Sequence, residues 1–141
     1  NPWGEGCVTL AGPDEEEART WYQENQMPVF AYSSIARGFF SGRVKSDQPE
    51  KAKEILDGAA QRGYAYPINF QRLARVEELA VEKGVSVPQI ALAYVLDSPL
   101  NVFPLVASYN EYEMKDNLKA FEVQLTPQEW AWLDLRSETR N

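Results

Sequence analysis

Short apolar runs alternate along this chain with longer stretches of helical periodicity. The run Val29 to Tyr32, bounded by a proline and two serines, is rich in β-branched and aromatic residues and predicts a buried strand. The run Val102 to Val106 predicts a second strand, although Pro104 removes one donor from its hydrogen-bond ladder. A weaker candidate extends from Cys7 to Leu10. Because a long helical segment separates the two clear strands, we expect them to pair in parallel.

Four helices are predicted before the second strand, from their apolar spacing and their end signals. Pro13 and the acidic residues after it favour a helix that ends at Asn25, with Ala18, Trp21 and Tyr22 on its buried face. The other three are a helix from about Pro49 to Ala60, a helix through Leu73 that stops at Gly84, and a helix capped by Ser86 and Gln89. The body of the last helix is apolar on every side, so it should be buried nearly all round.

Two further helices are predicted after the second strand. Ser108 with Glu111 can form a capping box, and Asn110 with Glu113 can form one in a competing register. Three apolar residues of the helix that follows share the face expected to be buried: Met114, Leu118 and Phe121. Thr126 opens the clearest capping box in the chain and predicts the final helix.

The composition narrows the chemistry that this chain can perform. Its 141 residues carry 21 acidic and 14 basic side chains, for a net charge of −7, so neither nucleic acid nor an anionic membrane is expected as a partner. Histidine is absent and Cys7 is the one cysteine, which excludes Ser-His-Asp and Cys-His nucleophiles and predicts no metal site. With no internal disulfide, signal peptide or membrane-length apolar run, we expect a cytoplasmic location.

The order of the elements, strands separated by helices, is typical of βα units in an α/β fold. Strands that are apolar on both faces are expected to be covered on both faces, and helices of this chain can cover one of them. Two clear strands and one weak one cannot close a barrel, which needs eight. The sequence therefore predicts an incomplete domain that belongs to a larger fold.

Residues 29–42 read Val-Phe-Ala-Tyr-Ser-Ser-Ile-Ala-Arg-Gly-Phe-Phe-Ser-Gly. This resembles the seventh-strand segment of aldo-keto reductases, commonly Ala-Tyr-Ser-Pro-Leu-Ala-Gln-Gly followed by two apolar residues, a hydroxyl residue and glycine. Three further segments agree with that family in order and spacing: Asn69 to Gly84, Pro88 to Leu96 and Val102 to Leu125. The resemblance implies that residues 1–141 are the C-terminal part of a (β/α)8 TIM barrel, with its last strands and their helices.

The family binds a nicotinamide dinucleotide, usually NADPH, at the C-terminal mouth of the barrel and reduces aldehydes or ketones. Its catalytic Asp, Tyr, Lys and His lie in the half that precedes this segment, so the resemblance assigns no catalytic residue here. It implies the dinucleotide-binding part of an NAD(P)H-dependent oxidoreductase, which we do not expect to be active alone. An alternative is a non-catalytic half-barrel that binds a partner chain, either the missing barrel half or a second copy.

The resemblance points to nine cofactor-binding residues. Tyr32, at the end of a strand, matches the aromatic residue that stacks on the nicotinamide ring. The loop that cradles the pyrophosphate is matched by Ser33, Ser34, Ile35, Arg37 and Gly38. Ser108 matches a phosphate contact near a helix N-terminus, and Asp116 and Asn117 match contacts to adenine. Each residue also has an ordinary alternative role: a core tyrosine, a plain turn, an N-cap serine or a solvated helix face.

One departure from the family pattern bears on the choice between NADP and NAD. A basic residue commonly meets the 2′-phosphate of NADP, whereas this chain has Ala107 and Glu113 in that region. A carboxylate repels a phosphate of like charge. We therefore expect either little discrimination between the two cofactors or a preference for NADH.

Overall fold

A computed structural model describes residues 9–10 and 13–140 of the chain. Within these residues the elements run in the order α1 (Glu16–Asn25), β1 (Val29–Ala31), α2 (Ala52–Ile55), α3 (Gly58–Tyr64), α4 (Pro67–Lys83), α5 (Val87–Leu96), β2 (Val102–Pro104), α6 (Glu111–Leu118) and α7 (Pro127–Leu133). Short 3-10 turns lie at Pro13–Glu15, Ala36–Gly38, Pro49–Lys51 and Lys119–Glu122. Of the weak strand expected at Cys7 to Leu10, the first two residues lie outside the described part, and the last two are not in a strand.

The two strands pair in parallel, as predicted, although each has only three residues. The register pairs Val29 with Val102, and Phe30 with Phe103. Beyond the ladder, the Val29 N–H donates to the Asn101 carbonyl at 2.9 Å, and the Leu105 N–H donates to the Ala31 carbonyl at 2.8 Å. Because the strands run the same way, their carboxyl ends lie at one edge, where ligands bind in α/β folds.

Within the described chain the sheet is covered on one face only, as predicted. Phe30 is 67% exposed and Phe103 is 47% exposed, and the two rings stack with their centroids 5.4 Å apart. Helix α5 packs beside β2, whereas no described element covers the face that carries the two rings. One side of the sheet is therefore an open aromatic surface.

Helix α4 connects the two apolar clusters that form the core. Leu73, near its start, belongs to a cluster with Phe39, Val44 and residues of α2 and α3. Further along α4, the second cluster combines residues of three helices: Val76, Leu79, Ala80, Ile90, Trp132 and Leu133. Leu73 and Leu79 are fully buried, so α4 contributes a core side chain to each of the two clusters.

Several helix ends predicted from the sequence are confirmed. Gly84 terminates α4 in the left-handed conformation at φ 66°, where a residue with a side chain would be strained. Ser86 forms the capping box of α5 with Gln89, and Thr126 forms that of α7 with Glu129. The prediction of burial holds for Gln89 to Ala93, whereas the last turn of α5 is only partly buried.

One predicted helix boundary is wrong, and at a second helix the structure decides between the two registers that the sequence left open. The expected helix from Pro49 to Ala60 is interrupted at Leu56, which is extended, because the Asp57 side chain accepts a hydrogen bond from the Ala60 N–H and starts a new helix. At α6 the competing register forms: Asn110, and not Ser108, is the N-cap, and its side chain accepts from the Glu113 N–H. In both places a local side-chain cap decides where the helix begins.

The burial expected on α1 and α6 is also wrong. Helix α1 buries no residue, and Trp21 on its predicted inner face is 49% exposed. The three apolar residues of the face predicted for α6 are all exposed: Met114 and Leu118 on the helix, and Phe121 in the turn after it. The polar Asn117 is buried instead, together with Ala120, because α6 and the turn after it pack this side against α5.

Within the described part of the chain, no single helix combines the length and the apolar content of a membrane span. Helices α4 and α5 have the length and apolar content of a membrane span only when they are taken together, and a bend of 103° lies between them.

A partly buried ion pair joins α7 to the end of α4. The Lys83 Nζ lies 2.8 Å from Glu129 Oε1, and Glu129 Oε2 accepts the Thr126 N–H at 2.7 Å. Burial alone would raise the pKa of Glu129, but the hydrogen bonds from Lys83 and Thr126, together with the charge of Lys83, outweigh it and lower that pKa. The ionised carboxylate therefore stabilises the fold.

We predict that Glu129→Gln lowers the free energy of unfolding by about 1 to 3 kcal/mol at pH 7, because it weakens a charge-assisted hydrogen bond. A lowered folded pKa contributes stability above the unfolded value, about 4.3, and loses it as the pH falls through the folded value. The difference between the variant and the wild type should therefore shrink towards pH ~3.5. Urea unfolding of both proteins at pH 7 and at pH ~3.5 measures this difference in the free energy of unfolding. The control Glu138→Gln, at a 93% exposed side chain, should change little; an equal loss at both pH values would contradict the assignment.

Candidate functional site

Two loops leave the carboxyl ends of the parallel strands side by side. We call residues 32–38, after β1, the first loop, and residues 105–110, after β2, the second loop. The Ser34 hydroxyl joins them, since Oγ lies 3.0 Å from the Ala31 carbonyl and 3.0 Å from the Leu105 carbonyl. A hydroxyl has one hydrogen, so these two carbonyls share it. Ser34 thus holds the two loops together and has no hydrogen left to donate to a phosphate.

The backbone of the first loop is strained. Ser33, Ala36 and Arg37 have φ values of 54°, 52° and 50°, and Gly38 follows at 92°. Non-glycine residues seldom adopt this region, and clusters of such residues occur at functional sites. Among the described residues, no acceptor takes a hydrogen bond from the N–H of Ser34 or Ile35. These two groups can therefore donate to the oxygen of a ligand.

Arg37 carries the positive charge of the first loop. Its Nη2 lies 2.8 Å from Asp57 Oδ2, while Asp57 Oδ1 accepts the Ala60 N–H at 2.7 Å. The hydrogen bond and the charge of the partner raise the pKa of Arg37 and lower the pKa of Asp57. Both side chains are exposed, so the pair adds little to stability. Its effect is to orient the guanidinium between the first loop and α3.

The second loop is held by its own hydrogen bonds to α6. Ser108 Oγ accepts from Asn117 Nδ2 at 3.1 Å, and Glu113 Oε2 accepts from the Tyr109 N–H at 2.9 Å. The N-terminal end of α6 is therefore already occupied by a carboxylate of the chain itself. Negative charge at this end is favourable to the helix dipole.

Asp116 points away from the loops towards α5. Its Oδ2 accepts the Ser86 hydroxyl at 2.8 Å, and its Oδ1 accepts Gln89 Nε2 at 2.7 Å. The residues matched to adenine contacts thus take different directions, Asp116 to α5 and Asn117 to Ser108. The sequence predicts the capping box of Ser86 and Gln89, but no local pattern indicates that Asp116 accepts a hydrogen bond from each of these side chains.

Tyr32 follows β1 and is 55% exposed. Tyr32 is the first residue after β1, and Phe30 is the exposed ring within that strand. Leu105, after β2, is likewise exposed and lies two residues beyond Phe103. The structure thus brings the predicted nicotinamide platform to the edge where the two loops meet.

An open hollow of about 620 Å³ lies elsewhere, along α1. Its lining residues are Glu16, Glu17, Thr20, Trp21 and Glu24, and none of them belongs to the two loops. The candidate site is therefore a surface at the strand ends and not this hollow.

Comparison with known proteins tests the assignment of the family. A model of the aldo/keto reductase family matches residues 9–136. The chain belongs to the aldo/keto reductase family. The resemblance identified from the sequence is thus confirmed, and the parallel strand pair with its helices is consistent with part of the (β/α)8 barrel of that family.

Among curated aldo/keto reductase relatives, a putative aryl-alcohol dehydrogenase of Saccharomyces cerevisiae is 40% identical over 112 residues, which cover 77% of this chain and 72% of the yeast protein. Versiconal hemiacetal acetate reductase of Aspergillus parasiticus is 24% identical over 132 residues, 89% of this chain and 36% of the relative. An aldo-keto reductase of Schizosaccharomyces pombe whose name specifies NADP(+) is 24% identical over 106 residues, 74% of this chain and 31% of the relative. The chain thus spans about a third of the length of the last two proteins.

Proposed function

We propose that this chain supplies the dinucleotide-binding rim of an aldo-keto reductase, an oxidoreductase that uses NAD(P)H to reduce an aldehyde or a ketone. The observation that carries the proposal is the hydroxyl of Ser34, which joins the carboxyl ends of two parallel strands and sets both loops at one edge. Family membership supports the nicotinamide cofactor and the carbonyl substrate. We also propose that this reductase is located in the cytoplasm.

The described residues suit two parts of such a cofactor, its nicotinamide ring and its diphosphate. Tyr32 offers an exposed ring at the mouth of the sheet, and the amides of Ser34 and Ile35 can donate to a diphosphate. Arg37, in the same loop, carries a positive charge that is paired with Asp57. When bound, the cofactor supplies a hydride for the carbonyl carbon; the residues of this chain bind and orient it. The proton donor and its partners are assigned to the preceding half of the family barrel.

A first prediction concerns the nicotinamide platform. Tyr32→Ala should weaken NADH binding by the chain about threefold to tenfold, because an aromatic stacking contact contributes about 0.5 to 1.5 kcal/mol. The dissociation constant can be measured by fluorescence titration or calorimetry. Tyr66→Ala is the matched control, since Tyr66 is 47% exposed but lies just before α4, outside both loops. Equal effects of the two substitutions would contradict the role of Tyr32.

A second prediction concerns Glu113 and the cofactor's 2′-phosphate. The carboxylate is fixed at the start of α6 by the Tyr109 N–H. At an effective dielectric of ~20, two like charges about 6 Å apart repel by nearly 3 kcal/mol before salt screening. The wild-type chain should therefore bind NADPH no more tightly than NADH, and Glu113→Arg should shift the ratio of dissociation constants towards NADPH by about tenfold.

Glu111→Arg is the control for that experiment, because it makes the same change of charge two residues earlier in the helix. Glu111 is 81% exposed and pairs with Lys115, so its replacement should shift the ratio less. The proposed role of Glu113 fails if the wild type already binds NADPH tenfold more tightly, or if both arginine variants shift the ratio equally.

The open aromatic surface favours a second function, association with the remaining strands of the barrel. Phe30 and Phe103 stack on this surface, and Leu105 is exposed beside them. Exposed apolar patches of this kind mark interaction sites. We infer that the missing barrel half covers the surface in the complete enzyme and that, in its absence, copies of the chain associate through it.

The third prediction follows from this surface. The chain should bind an apolar dye and show concentration-dependent association in sedimentation. Phe30→Ser should reduce both, because it removes the more exposed of the two stacked rings. Val81→Ser is the control: Val81 is 84% exposed on α4, away from the sheet. A compact monomer that binds no dye at high concentration would overturn the proposed association.

A further inference from the structure

The chain turns back after α7 and runs along α4; we call residues 134–140 the strap. The Leu135 N–H donates to the Trp132 carbonyl at 3.0 Å, and the Arg136 N–H donates to the Ala131 carbonyl at 2.9 Å, which is the Schellman pattern of a helix end. Leu135 lies at φ 62°, where glycine is usual and a leucine is strained. Contacts further along the strap must therefore hold this turn.

Arg75 of α4 holds the middle of the strap. Its Nη1 donates to the Trp132 carbonyl at 2.5 Å and to the Ser137 carbonyl at 2.8 Å. The carbon of its guanidinium lies 5.1 Å from the centre of the Trp132 ring, within the range of a cation–π contact. One arginine thus binds the last turn of α7 and the strap at the same time.

Arg140 holds the far end of the strap. Its Nη2 lies 2.8 Å from Glu78 Oε1 and 2.6 Å from Glu82 Oε2, two carboxylates one turn apart on α4. The carbon of its guanidinium lies 4.6 Å from the centre of the Trp132 ring. Its Nη1 is buried, and no described residue accepts a hydrogen bond from it. Closing the strap thus desolvates a donor without compensation, so the two carboxylates must outweigh that cost.

The contacts that hold Arg140 respond to salt differently from those of the core. The side chains of Glu78 and Glu82 are 59% and 56% exposed, so dissolved ions screen their attraction for the guanidinium. Trp132 and Leu133 lie in the second core cluster, whose apolar contacts are not screened in this way. Salt should therefore weaken the strap before it weakens the packing of α7.

We propose that the strap is a salt-sensitive device, closed on α4 at low ionic strength and open at high ionic strength while the helical core stays folded. Opening frees Arg140 from both carboxylates and relaxes the turn at Leu135. The end of α7 is then held only by its apolar contacts with α4 and α5. This inference goes beyond the proposed function, because neither loop of the candidate site and no cofactor takes part in it.

Hydrogen exchange measured by mass spectrometry tests the proposal on the wild-type chain. The amides of Asp134, Leu135 and Arg136 donate hydrogen bonds to α7 carbonyls while the strap is closed, and they exchange when it opens. Between about 0.05 M and about 1 M sodium chloride, their exchange should become about threefold to tenfold faster, as expected when two exposed ion pairs are screened. The amides of α4 in the same sample should keep their rates.

A pair of charge-neutralising variants identifies the carboxylates. Glu78→Gln with Glu82→Gln should give, already at low salt, the fast exchange that the wild type shows at high salt, and further salt should accelerate it much less. Glu50→Gln with Glu54→Gln is the matched control. It removes the same charge at the same spacing from two exposed residues that make no contact with the strap, so its exchange should follow the wild type.

A double-mutant cycle tests whether the carboxylates act through Arg140. The paired Glu78 and Glu82 substitutions should have no further effect in an Arg140→Ala background, since the group that they bind is already absent. Arg140→Lys keeps the charge and should keep the salt dependence. Additive effects of the substitutions would overturn the role of Arg140, and circular dichroism of each variant checks that the helices remain folded.

The outcomes separate opening of the strap from unfolding of the whole chain. If salt leaves the exchange of residues 134–136 unchanged, or accelerates the amides of α4 and α5 by the same factor, the proposal is overturned. Salt-dependent exchange confined to the end of α7 and the strap, and lost in the paired variant but not in its control, supports it. Because no dinucleotide enters the experiment, its failure leaves the proposed function untouched.

Discussion

The parallel pairing of β1 and β2 depends on parts of the chain that lie outside both strands. Each strand has three residues, and an isolated pair of this length is not stable in water. Helices α4 and α5 lie in the connection between the strands and carry most of the second core cluster, and α5 packs beside β2. The geometry of the candidate site therefore depends on this crossover, because both loops begin at the ends of the strands that the crossover holds together.

The features predicted correctly from the sequence are those decided within a few residues. The caps at Ser86 and Thr126 and the stop at Gly84 each depend on one side chain or on one backbone conformation. The wrong boundary at Asp57 also has a local cause, since its side chain caps a new helix, and at α6 Asn110 is the one of the two predicted caps that forms. Here the sequence contains the signal, but the choice between neighbouring caps depends on packing.

Burial could not be predicted from periodicity alone. The apolar face of α6 has helical spacing, yet Leu118 is 53% exposed, because no described element lies against that face. The polar Asn117 is buried because α5 lies beside it. The same holds for the site: the sequence places Ser34 and Asp116 near strand and helix ends, but their hydrogen-bond partners, Leu105 and Ser86, are 71 and 30 residues away. Contacts of this range follow from tertiary structure and leave no local pattern.

The separation of the two strands also has a consequence for the time course of folding. The loops that Ser34 joins are 71 residues apart in sequence, so this contact closes a loop of about half the chain. Loop-closure entropy must be lost before such a contact stabilises anything, whereas α4 and α5 are neighbours and can dock early. The strand ends are therefore expected to come together after the helical core has formed. A chain released before that point would expose both strand edges, the state most open to intermolecular pairing.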